Sequence, residues 1–249
     1  EGQILVRVEA ISIEGGDLIS RRLVPPPSPT NVPCYAAAGE VVAVGPGVTG
    51  FEIGQKVTSF GFGGSYAELR PATAATSWVI PDDMDMAQAA AAPVGVGTAV
   101  DALSLGEFNS KDTVLVTGAA GIVGIATIQL AAQAGARVIG TSTSAESLEA
   151  LKPYGLTDAI VLDGGSLDEK VHAISDGKGV DLLIDNVGGI PLVEALGVLV
   201  DQAEKKSVKA LFAEIREQIR GGKSLSAVLE TYEKDFSPIY VHMVRAGEA

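Results

Sequence analysis

The stretch Thr113-Val-Leu-Val-Thr-Gly-Ala-Ala-Gly-Ile-Val-Gly-Ile-Ala-Thr-Ile-Gln-Leu130 decides the fold. Its apolar run 114–116 predicts a short strand buried on both faces, and a glycine-rich turn over 118–124 leads directly into an Ala-rich helical pattern. Such a turn leaves backbone N–H groups free at a helix N-terminus, where they and the helix dipole can hold a pyrophosphate. The motif Ala119-x-Gly121-x-x-Gly124 departs from the dinucleotide fingerprint only at its first position. We predict nucleotide binding here; the alternative is a tight turn that binds nothing.

The segments that follow alternate between strand and helix. Strands are expected at 113–118, 137–142, 158–162 and 180–185, with helices near 122–134, 145–152 and 168–175. Strands joined through helices form right-handed βαβ units and a parallel sheet. The fourth strand then lies beside the first, in the order 3-2-1-4, across the crevice where such sheets bind ligands. The predicted fold class is α/β with an incomplete doubly wound sheet.

The part of the chain before this sheet has a different pattern. Residues 3–80 are β-rich: apolar and polar residues alternate from Ile4, and further short strands are expected at 41–44, 56–60 and 77–80. The run 25–29 predicts a stiff polyproline-like connector. After Pro81 the pattern becomes helical, with Asp85 as N-cap of the first of two Ala-rich segments, 86–92 and 97–105.

Composition limits the classes of partner and location. The 249 residues carry a net charge of -13, which argues against nucleic acid as a partner. No apolar run reaches the length of a membrane span. The single cysteine, Cys34, excludes an internal disulfide and a zinc site built from cysteines, and is typical of a reducing cytosol. We therefore predict a cytoplasmic protein that acts on a small molecule.

Several stretches of residues 2–189 resemble the medium-chain dehydrogenase/reductase superfamily, within its zinc-independent, quinone oxidoreductase-like branch. They are Ile4-Leu-Val-Arg-Val-Glu-Ala10, Ser12-Ile-Glu-Gly-Gly-Asp17, Ala38-Gly-Glu-Val-Val-Ala-Val-Gly-Pro-Gly-Val-Thr-Gly-Phe51, Gly54-Gln-Lys-Val57, Thr117-Gly-Ala-Ala-Gly-Ile-Val-Gly124 and Gly179-Val-Asp-Leu-Leu-Ile-Asp-Asn-Val-Gly188. The resemblance implies a GroES-like catalytic domain, here 1–105, and a partial Rossmann cofactor-binding domain, here 106–189, with the active site in the cleft between them.

The resemblance also allows the zinc ligands to be checked one position at a time. Zinc-dependent relatives place a His-Glu pair where this chain has Tyr35 and Ala36, and a Cys shortly before Asp17, where this chain has none. The four-Cys structural loop is missing as well. Because a catalytic zinc needs three protein ligands at fixed geometry, we expect no metal.

Without a metal, the resemblance implies hydride transfer from a nicotinamide to a quinone or enone acceptor. The protein then orients the reactants and donates hydrogen bonds to the developing oxyanion. Tyr35 is the first catalytic candidate, with packing at a strand start as the alternative. Glu14 is the second; it stands where relatives often have an Asn near the cofactor, and a plain turn carboxylate is the alternative. Asp17 is expected to bond local backbone N–H groups.

The cofactor choice depends on the end of the second strand of the sheet. Small hydroxyl residues without an acid follow this strand, which favours NADPH over NADH, although Ser147 stands where relatives often carry a Lys. The predicted cofactor-binding residues are Thr98, Gly118, Ala119, Ala120, Gly121, Ile122, Val123, Gly124, Thr141, Ser142, Ser144, Asn186, Val187 and Gly188.

Residues 190–249 depart from the reductase pattern. They hold 4 of the 30 glycines, no strand pattern, and helical faces built on Leu192, Leu196 and Leu199 and on 208–219. Gly221 is expected to end the second helix, Ser224 to cap a third, and Ser237-Pro238 to begin another. The fourth strand, with its apolar residues, would form a sheet edge prone to aggregation, so reduced stability is expected.

This last segment resembles a second family, the helical domain of the inner-membrane platform protein F of type II secretion and type IV pilus systems. The matching stretches are Gly189-Ile-Pro-Leu-Val-Glu-Ala-Leu196, Arg220-Gly-Gly-Lys-Ser-Leu-Ser226 and Phe236-Ser-Pro-Ile-Tyr-Val-His-Met-Val-Arg-Ala-Gly-Glu248. The alternative is a divergent helical end of the dehydrogenase. The two resemblances imply, as protein partners, a second copy in a homodimer and secretion-system components bound through 190–249.

Three functions therefore remain open from the sequence. The first is an NADPH-dependent, zinc-free oxidoreductase. The second is a helical interaction module of a secretion platform, joined to an inactive reductase remnant. The third is a folded relic that binds nucleotide without turnover.

Overall fold

The computed structural model describes residues 1–23, 25–26, 28–187, 189–202, 205–232, 234, 236, 241 and 244. The chain divides into two compact units, Glu1–Thr98 and Ala99–Ala249. Within the described residues, no helix combines the length and the hydropathy needed to cross a lipid bilayer.

The first unit is built on an antiparallel sheet, as its alternating pattern predicts. Its elements are β1 (Gln3–Ser12), α1 (Gly15–Leu23), β2 (Ala36–Val44), β3 (Lys56–Phe60), β4 (Leu69–Thr73), β5 (Ser77–Val79) and the start of α2 (Met86–Leu105). The strands lie in the order β4-β1-β2-β3-β5. Ile4 and Val6 point into a buried cluster with Val41 and Val57, which explains the apolar alternation of β1.

The helix α2 corrects one sequence expectation. Two helical segments were expected, 86–92 and 97–105, but the structure has one helix of 20 residues with Pro93 inside it. Proline removes one helical hydrogen bond and disfavours the preceding turn. Here that turn is held by packing, because Ala89 and Ala90 are fully buried in a cluster with Ile80. The predicted cap is confirmed, since an Asp85 Oδ1 accepts the N–H of Ala87 at 2.9 Å.

The second unit contains the predicted parallel sheet. Its elements are β6 (Thr113–Val116), α3 (Ile122–Gln133), β7 (Arg137–Ser142), α4 (Ala145–Glu149), β8 (Asp158–Val161), α5 (Leu167–Ile174) and β9 (Leu182–Ile184). The order is β8-β7-β6-β9 and every pair is parallel. This confirms the predicted order 3-2-1-4, with the fourth strand at the edge and shorter than expected.

Three helices follow the sheet: α6 (Gly189–Gln202), α7 (Lys206–Arg220) and α8 (Leu225–Leu229). Leu192 and Leu196 pack with Ile215 and Val228 in a separate apolar cluster, so the predicted helical faces do form a core. Val198, on the same α6, belongs instead to a cluster of the parallel sheet.

The ends of these helices follow the sequence signals. Gly221 is the C-cap of α7, and the Ser224 hydroxyl accepts the N–H of Ala227 at 3.2 Å at the start of α8. Ser237-Pro238 lies outside the described residues, as does most of the segment after it. In the described part of the chain, no strand follows β9.

Candidate cofactor and acceptor sites

The glycine-rich turn after β6 is fixed by backbone bonds to both neighbouring strands. The N–H of Thr117 donates to the carbonyl of Ile184 at 3.0 Å, and the N–H of Ala119 donates to the carbonyl of Thr141 at 2.9 Å. Gly118 has a positive φ of 57°, a conformation that glycine adopts without steric cost. The chain therefore turns sharply at the carboxyl end of β6, where a parallel sheet binds its ligands.

Two glycines of the motif have a steric reason to be glycine. A Cβ atom on Gly124 would lie 2.6 Å from the carbonyl oxygen of Gly118 and 2.7 Å from that of Ala119. A Cβ on Gly121 would lie 3.2 Å from the Gly118 oxygen. The helix α3 therefore packs against the turn at a distance that only glycine at 124 allows.

The neighbouring strand β7 leaves space for the methyl group of the alanine at the first motif position. Ala119 is fully buried, and a Cβ on Gly140 of β7 would approach the Ala119 methyl to 2.9 Å. Glycine at 140 thus leaves the space that the extra methyl occupies. The departure from the fingerprint is compensated within the sheet.

The turn surrounds a cavity of about 380 Å³. Its lining residues are Gly118, Ala120, Gly121, Ile122, Val123, Gly124, Ser142 and Asn186. Among the described residues, none accepts a hydrogen bond from the N–H of Ala120, Ile122, Val123 or Gly124. The first turn of α3 contains no acidic residue, so nothing there opposes the attraction of the helix dipole for an anion.

A side-chain network joins the ends of β6 and β9 beside this cavity. The buried Thr117 hydroxyl donates to Asp185 Oδ1 and accepts the N–H of Asn186 at 3.0 Å. The Asn186 side-chain amide donates to the carbonyl of Thr117, also at 3.0 Å. Asn186 is therefore held at the cavity wall by Thr117 and Asp185, two residues that the sequence did not single out.

The end of β7 presents hydroxyl groups to the same cavity. Ser142 lines it, and the Ser142 hydroxyl accepts the N–H of Ser144 at 3.2 Å. Ser144 in turn caps α4 by accepting the N–H of Ser147 at 3.1 Å. Thr141 is fully buried, and its hydroxyl has no hydrogen-bond partner in the described structure.

The remaining predicted cofactor residues lie elsewhere or are not described. Val187 is exposed beside the turn, since its Cγ2 would meet a Cβ on Gly118 at 2.8 Å. Thr98 is exposed on α2, at the end of the first unit. Gly188 lies outside the described residues. The structure thus brings most of the predicted set together around one turn.

The first unit has a separate cavity of about 410 Å³, lined by Tyr35. The Tyr35 ring lies 6.3 Å from that of Phe60 and 6.4 Å, edge to face, from that of Phe62. Its hydroxyl lies over α1, because a Cβ on Gly16 would be 2.9 Å from the oxygen. Tyr35 precedes β2 directly, and its ring contacts are those expected for packing at a strand start; its role as a hydrogen-bond donor stays a prediction.

Glu14 and Asp17 lie close together before and within α1. Glu14 is buried, and its Oε1 accepts the hydroxyl of Ser12 at 2.5 Å. An Asp17 carboxylate oxygen accepts the N–H of Glu14 at 2.9 Å, as expected for a carboxylate that bonds local backbone. Asp17 lines the cavity, whereas the Glu14 carboxylate is engaged with Ser12.

Cys34 also lines this cavity, in an unusual backbone conformation. Its φ is 80°, which is rare for a residue with a side chain. Its thiol donates to the carbonyl of Ser12 at 2.8 Å. Burial, followed by the negative charge of Asp17, raises the pKa of the Cys34 thiol, so the group is a neutral thiol at neutral pH.

Arg70 is the residue that sequence reasoning missed in this unit. It is 2% exposed, and its guanidinium donates to the carbonyls of Ser59, Tyr35 and Gly63 at 3.2, 3.0 and 3.3 Å. Burial lowers the pKa of the Arg70 guanidinium. Arg70 thereby fixes the backbone of Tyr35 to the loop that carries Phe62.

Comparison with known families gives three matches along the chain. The model for the alcohol dehydrogenase GroES-like domain matches residues 1–82, and that for the zinc-binding dehydrogenase matches residues 123–204. The model for type II secretion system protein F matches residues 186–249.

Individual relatives support the two reductase matches. The chain is 36% identical to the quinone oxidoreductase-like protein 2 homolog of Nematostella vectensis over 194 residues, 75% of this chain and 52% of that protein. It is 30% identical to the synaptic vesicle membrane protein VAT-1 homolog of Danio rerio over 255 positions, 100% of this chain and 51% of that protein. Among solved structures, the Escherichia coli quinone oxidoreductase complexed with NADPH superposes with a TM-score of 0.72 at 29% identity, covering 83% of this chain and 63% of that chain.

The two reductase matches and these relatives support a medium-chain dehydrogenase/reductase over residues 1–204, and the C-terminal segment additionally resembles the protein F family. The chain spans about half the length of the two curated relatives named above. The segment 186–249 is covered both by the protein F match and by the VAT-1 alignment, which runs over the whole chain.

Proposed function

We propose that this chain is an NADPH-dependent, zinc-free oxidoreductase that reduces a quinone or enone acceptor. The observation that carries the proposal is the turn over 118–124, where unbonded N–H groups face a cavity at the N-terminus of α3. The NADPH-bound neighbour named above lends further support.

The residues present fit a dinucleotide. The N–H groups of Ala120 and of 122–124 would hold the pyrophosphate, because they are free and lie at the positive end of the helix dipole. The hydroxyls of Ser142 and Ser144 would bond the ribose, and Asn186 would border the nicotinamide side. The cofactor supplies a hydride when bound; the protein supplies binding and orientation.

The choice of NADPH over NADH follows from the residues after β7. An NAD site carries an acid at the end of this strand to bond the ribose 2′-hydroxyl, and such an acid repels a 2′-phosphate. Here Ser142 to Ala145 contain no acid, and the nearest, Glu146, is exposed in the first turn of α4. The residues after β7 therefore lack the acid that favours NADH and leave a 2′-phosphate unopposed, which supports the choice of NADPH.

Tyr35 is proposed as the group that stabilises the developing oxyanion of the acceptor. Tyr35 lines a cavity whose surface is mostly apolar, where a hydrogen bond to an oxyanion is stronger than in water. Glu14, the second candidate, acts in this proposal through Ser12, by holding the backbone at the start of α1 in place. The GroES-like and Rossmann domains remain proposed at 1–105 and 106–189, and the helical segment at 190–249.

The side chains at the positions of the zinc ligands support a mechanism without zinc. At the positions where zinc-dependent relatives have ligands, this chain has Tyr35 and Ala36. The Cys34 thiol already donates to the carbonyl of Ser12. Within the described residues, no group of three or more His, Cys, Asp or Glu is placed to hold a metal ion.

The experiment is NADPH oxidation, followed at 340 nm, with 1,4-naphthoquinone and with a simple enone, each with and without a chelator. We expect turnover of at least one acceptor, unaffected by the chelator, and lowered in Tyr35→Phe with an unchanged KM for NADPH. Turnover that the chelator abolishes and zinc restores would overturn the zinc-free mechanism. We also propose that the protein is cytoplasmic and forms a homodimer.

A second candidate function rests on the protein F match at 186–249 and on the separate apolar cluster of α6, α7 and α8. In this alternative the helices bind secretion-system partners and the reductase part is inactive. A folded chain that binds neither NADPH nor NADH would favour it.

A further inference from the structure

The cavity of the first unit has a cation at one end. The helix α1 places Asp17, Ser20 and Arg21 on one face, because residues three and four apart are neighbours on a helix surface, and all three line the cavity. Asp17 is buried, whereas Arg21 is exposed. The rise of a helix separates the two positions by about 6 Å along its axis.

The charge of Arg21 is not used by the fold. Among the ion pairs formed within the described residues, none involves Arg21. Asp17, the acid nearest along the helix face, instead accepts the N–H of Glu14. An unpaired guanidinium at the mouth of a cavity is a fork of donors suited to a carboxylate, sulfonate or phosphate.

The rest of the cavity lining is mostly apolar, although it also includes Asn31 and Cys34. Pro25, Pro26 and Pro33 form one part of the lining, and the rings of Tyr35 and Phe62 form another. Phe62 is 91% exposed, although it contacts Tyr35 edge to face. An apolar body that covers Phe62 would gain the free energy of removing that ring from water.

We propose that the cavity selects acceptors that carry an anionic group on a flat apolar body, with Arg21 as the residue that binds the anion. The proposal rests on the proposed oxidoreductase function only in taking the bound molecule to be the hydride acceptor. The binding itself needs no turnover. It names a class of substrate that neither the glycine-rich turn nor Tyr35 determines.

Arg22 provides a matched control. It is the next residue of the same helix, in the same last turn and exposed like Arg21, but it does not line the cavity. Both arginines lie in the last turn of α1, where a cation interacts favourably with the helix dipole. Any difference between Arg21→Gln and Arg22→Gln therefore reports on the cavity and not on helix stability or net charge.

The first measurement is equilibrium binding by calorimetry, without cofactor, of 2-naphthalenesulfonate and of its neutral counterpart 2-naphthyl methyl sulfone. For Arg21→Gln, we expect the ratio of the two dissociation constants to shift about two- to fivefold against the sulfonate, the range of an exposed ion pair. Arg22→Gln should leave the ratio unchanged, and Arg21→Lys should restore part of it. Equal shifts in both glutamine variants, or none in either, would overturn the proposal.

The second measurement separates this proposal from the proposed function. NADPH oxidation is measured with 1,4-naphthoquinone and with 1,4-naphthoquinone-2-sulfonate in the wild type and both glutamine variants. An Arg21-dependent KM ratio supports both proposals. Arg21-dependent sulfonate binding without any turnover supports the anion site and contradicts the oxidoreductase. Turnover with the same KM ratio in the wild type and both variants supports the oxidoreductase and contradicts the anion site.

Discussion

Gly124 and the carbonyl oxygen of Gly118 are so close that a Cβ atom on Gly124 would lie 2.6 Å from that oxygen. Backbone cannot move away as a flexible side chain can. The position of α3 against the turn, and with it the direction of the free N–H groups, therefore depends on the missing side chain at 124.

Gly124→Ala should accordingly weaken NADPH binding at least tenfold and lower the free energy of unfolding by about 1–3 kcal/mol, as expected for overpacking. The matched control is Gly197→Ala in α6, where an added Cβ would meet only the tip of Arg216 at 3.4 Å. Alanine in that helix interior should be neutral or stabilise by up to about 1 kcal/mol. Unchanged NADPH affinity in Gly124→Ala would contradict the assigned role of the turn.

Thr117→Val tests the network that positions Asn186. The substitution removes a buried hydroxyl that donates to Asp185 and accepts the N–H of Asn186, and each lost hydrogen bond costs about 0.5–1.5 kcal/mol. We expect a lower urea midpoint and weaker NADPH binding. Thr127→Val is the control, because the buried Thr127 hydroxyl only donates to the carbonyl of Val123, inside α3; its cost should be clearly smaller.

Arg70→Met tests the buried guanidinium of the first unit. Three carbonyls, those of Tyr35, Ser59 and Gly63, lose their donor, so we expect a loss of at least about 2 kcal/mol in unfolding free energy. Arg7→Met is the control: Arg7 is exposed and pairs with Glu40 at 3.5 Å, an interaction worth less than about 1 kcal/mol. If chemical denaturation gave equal losses of unfolding free energy in both variants, Arg70 would stabilise the fold no more than a surface charge does.

Cys34 gives a prediction about pH. Burial raises the pKa of its thiol in the folded chain, so the stability it contributes is complete below the unfolded pKa of about 8.5. That stability is lost as pH rises through the higher folded pKa. Because Cys34 is the only cysteine, its alkylation by iodoacetamide can be followed by mass spectrometry. We expect slow modification at pH 8 in the native chain and fast modification in guanidinium; equal rates would refute the burial of the thiol.

The features that could be predicted from sequence are those encoded locally. The turn over 118–124, the caps at Asp85 and Ser224, and the strand order follow from residues adjacent in the chain and from general rules of connection. The helix α2 was the local error, because the buried contacts of Ala89 and Ala90 that hold its first half are not visible in the sequence.

The features that could not be predicted are contacts between residues far apart in the sequence. Thr117 and Asp185 are 68 residues apart, and Arg70 and Tyr35 are 35 apart. No periodicity indicates such pairs, since each side chain alone is typical of an ordinary strand end or strand position. Likewise, nothing in the residue type of Cys34 indicates its positive φ of 80°.

The most direct test of the account is a fluorescence titration of the purified, folded chain with NADPH and separately with NADH. We expect saturable binding of both or of NADPH alone, with NADPH the tighter ligand, and at least tenfold weaker NADPH binding in Gly124→Ala but not in Gly197→Ala. Binding of neither nucleotide to a chain that circular dichroism shows to be folded would contradict it, and the helical segment 190–249 would then be the part to examine for function.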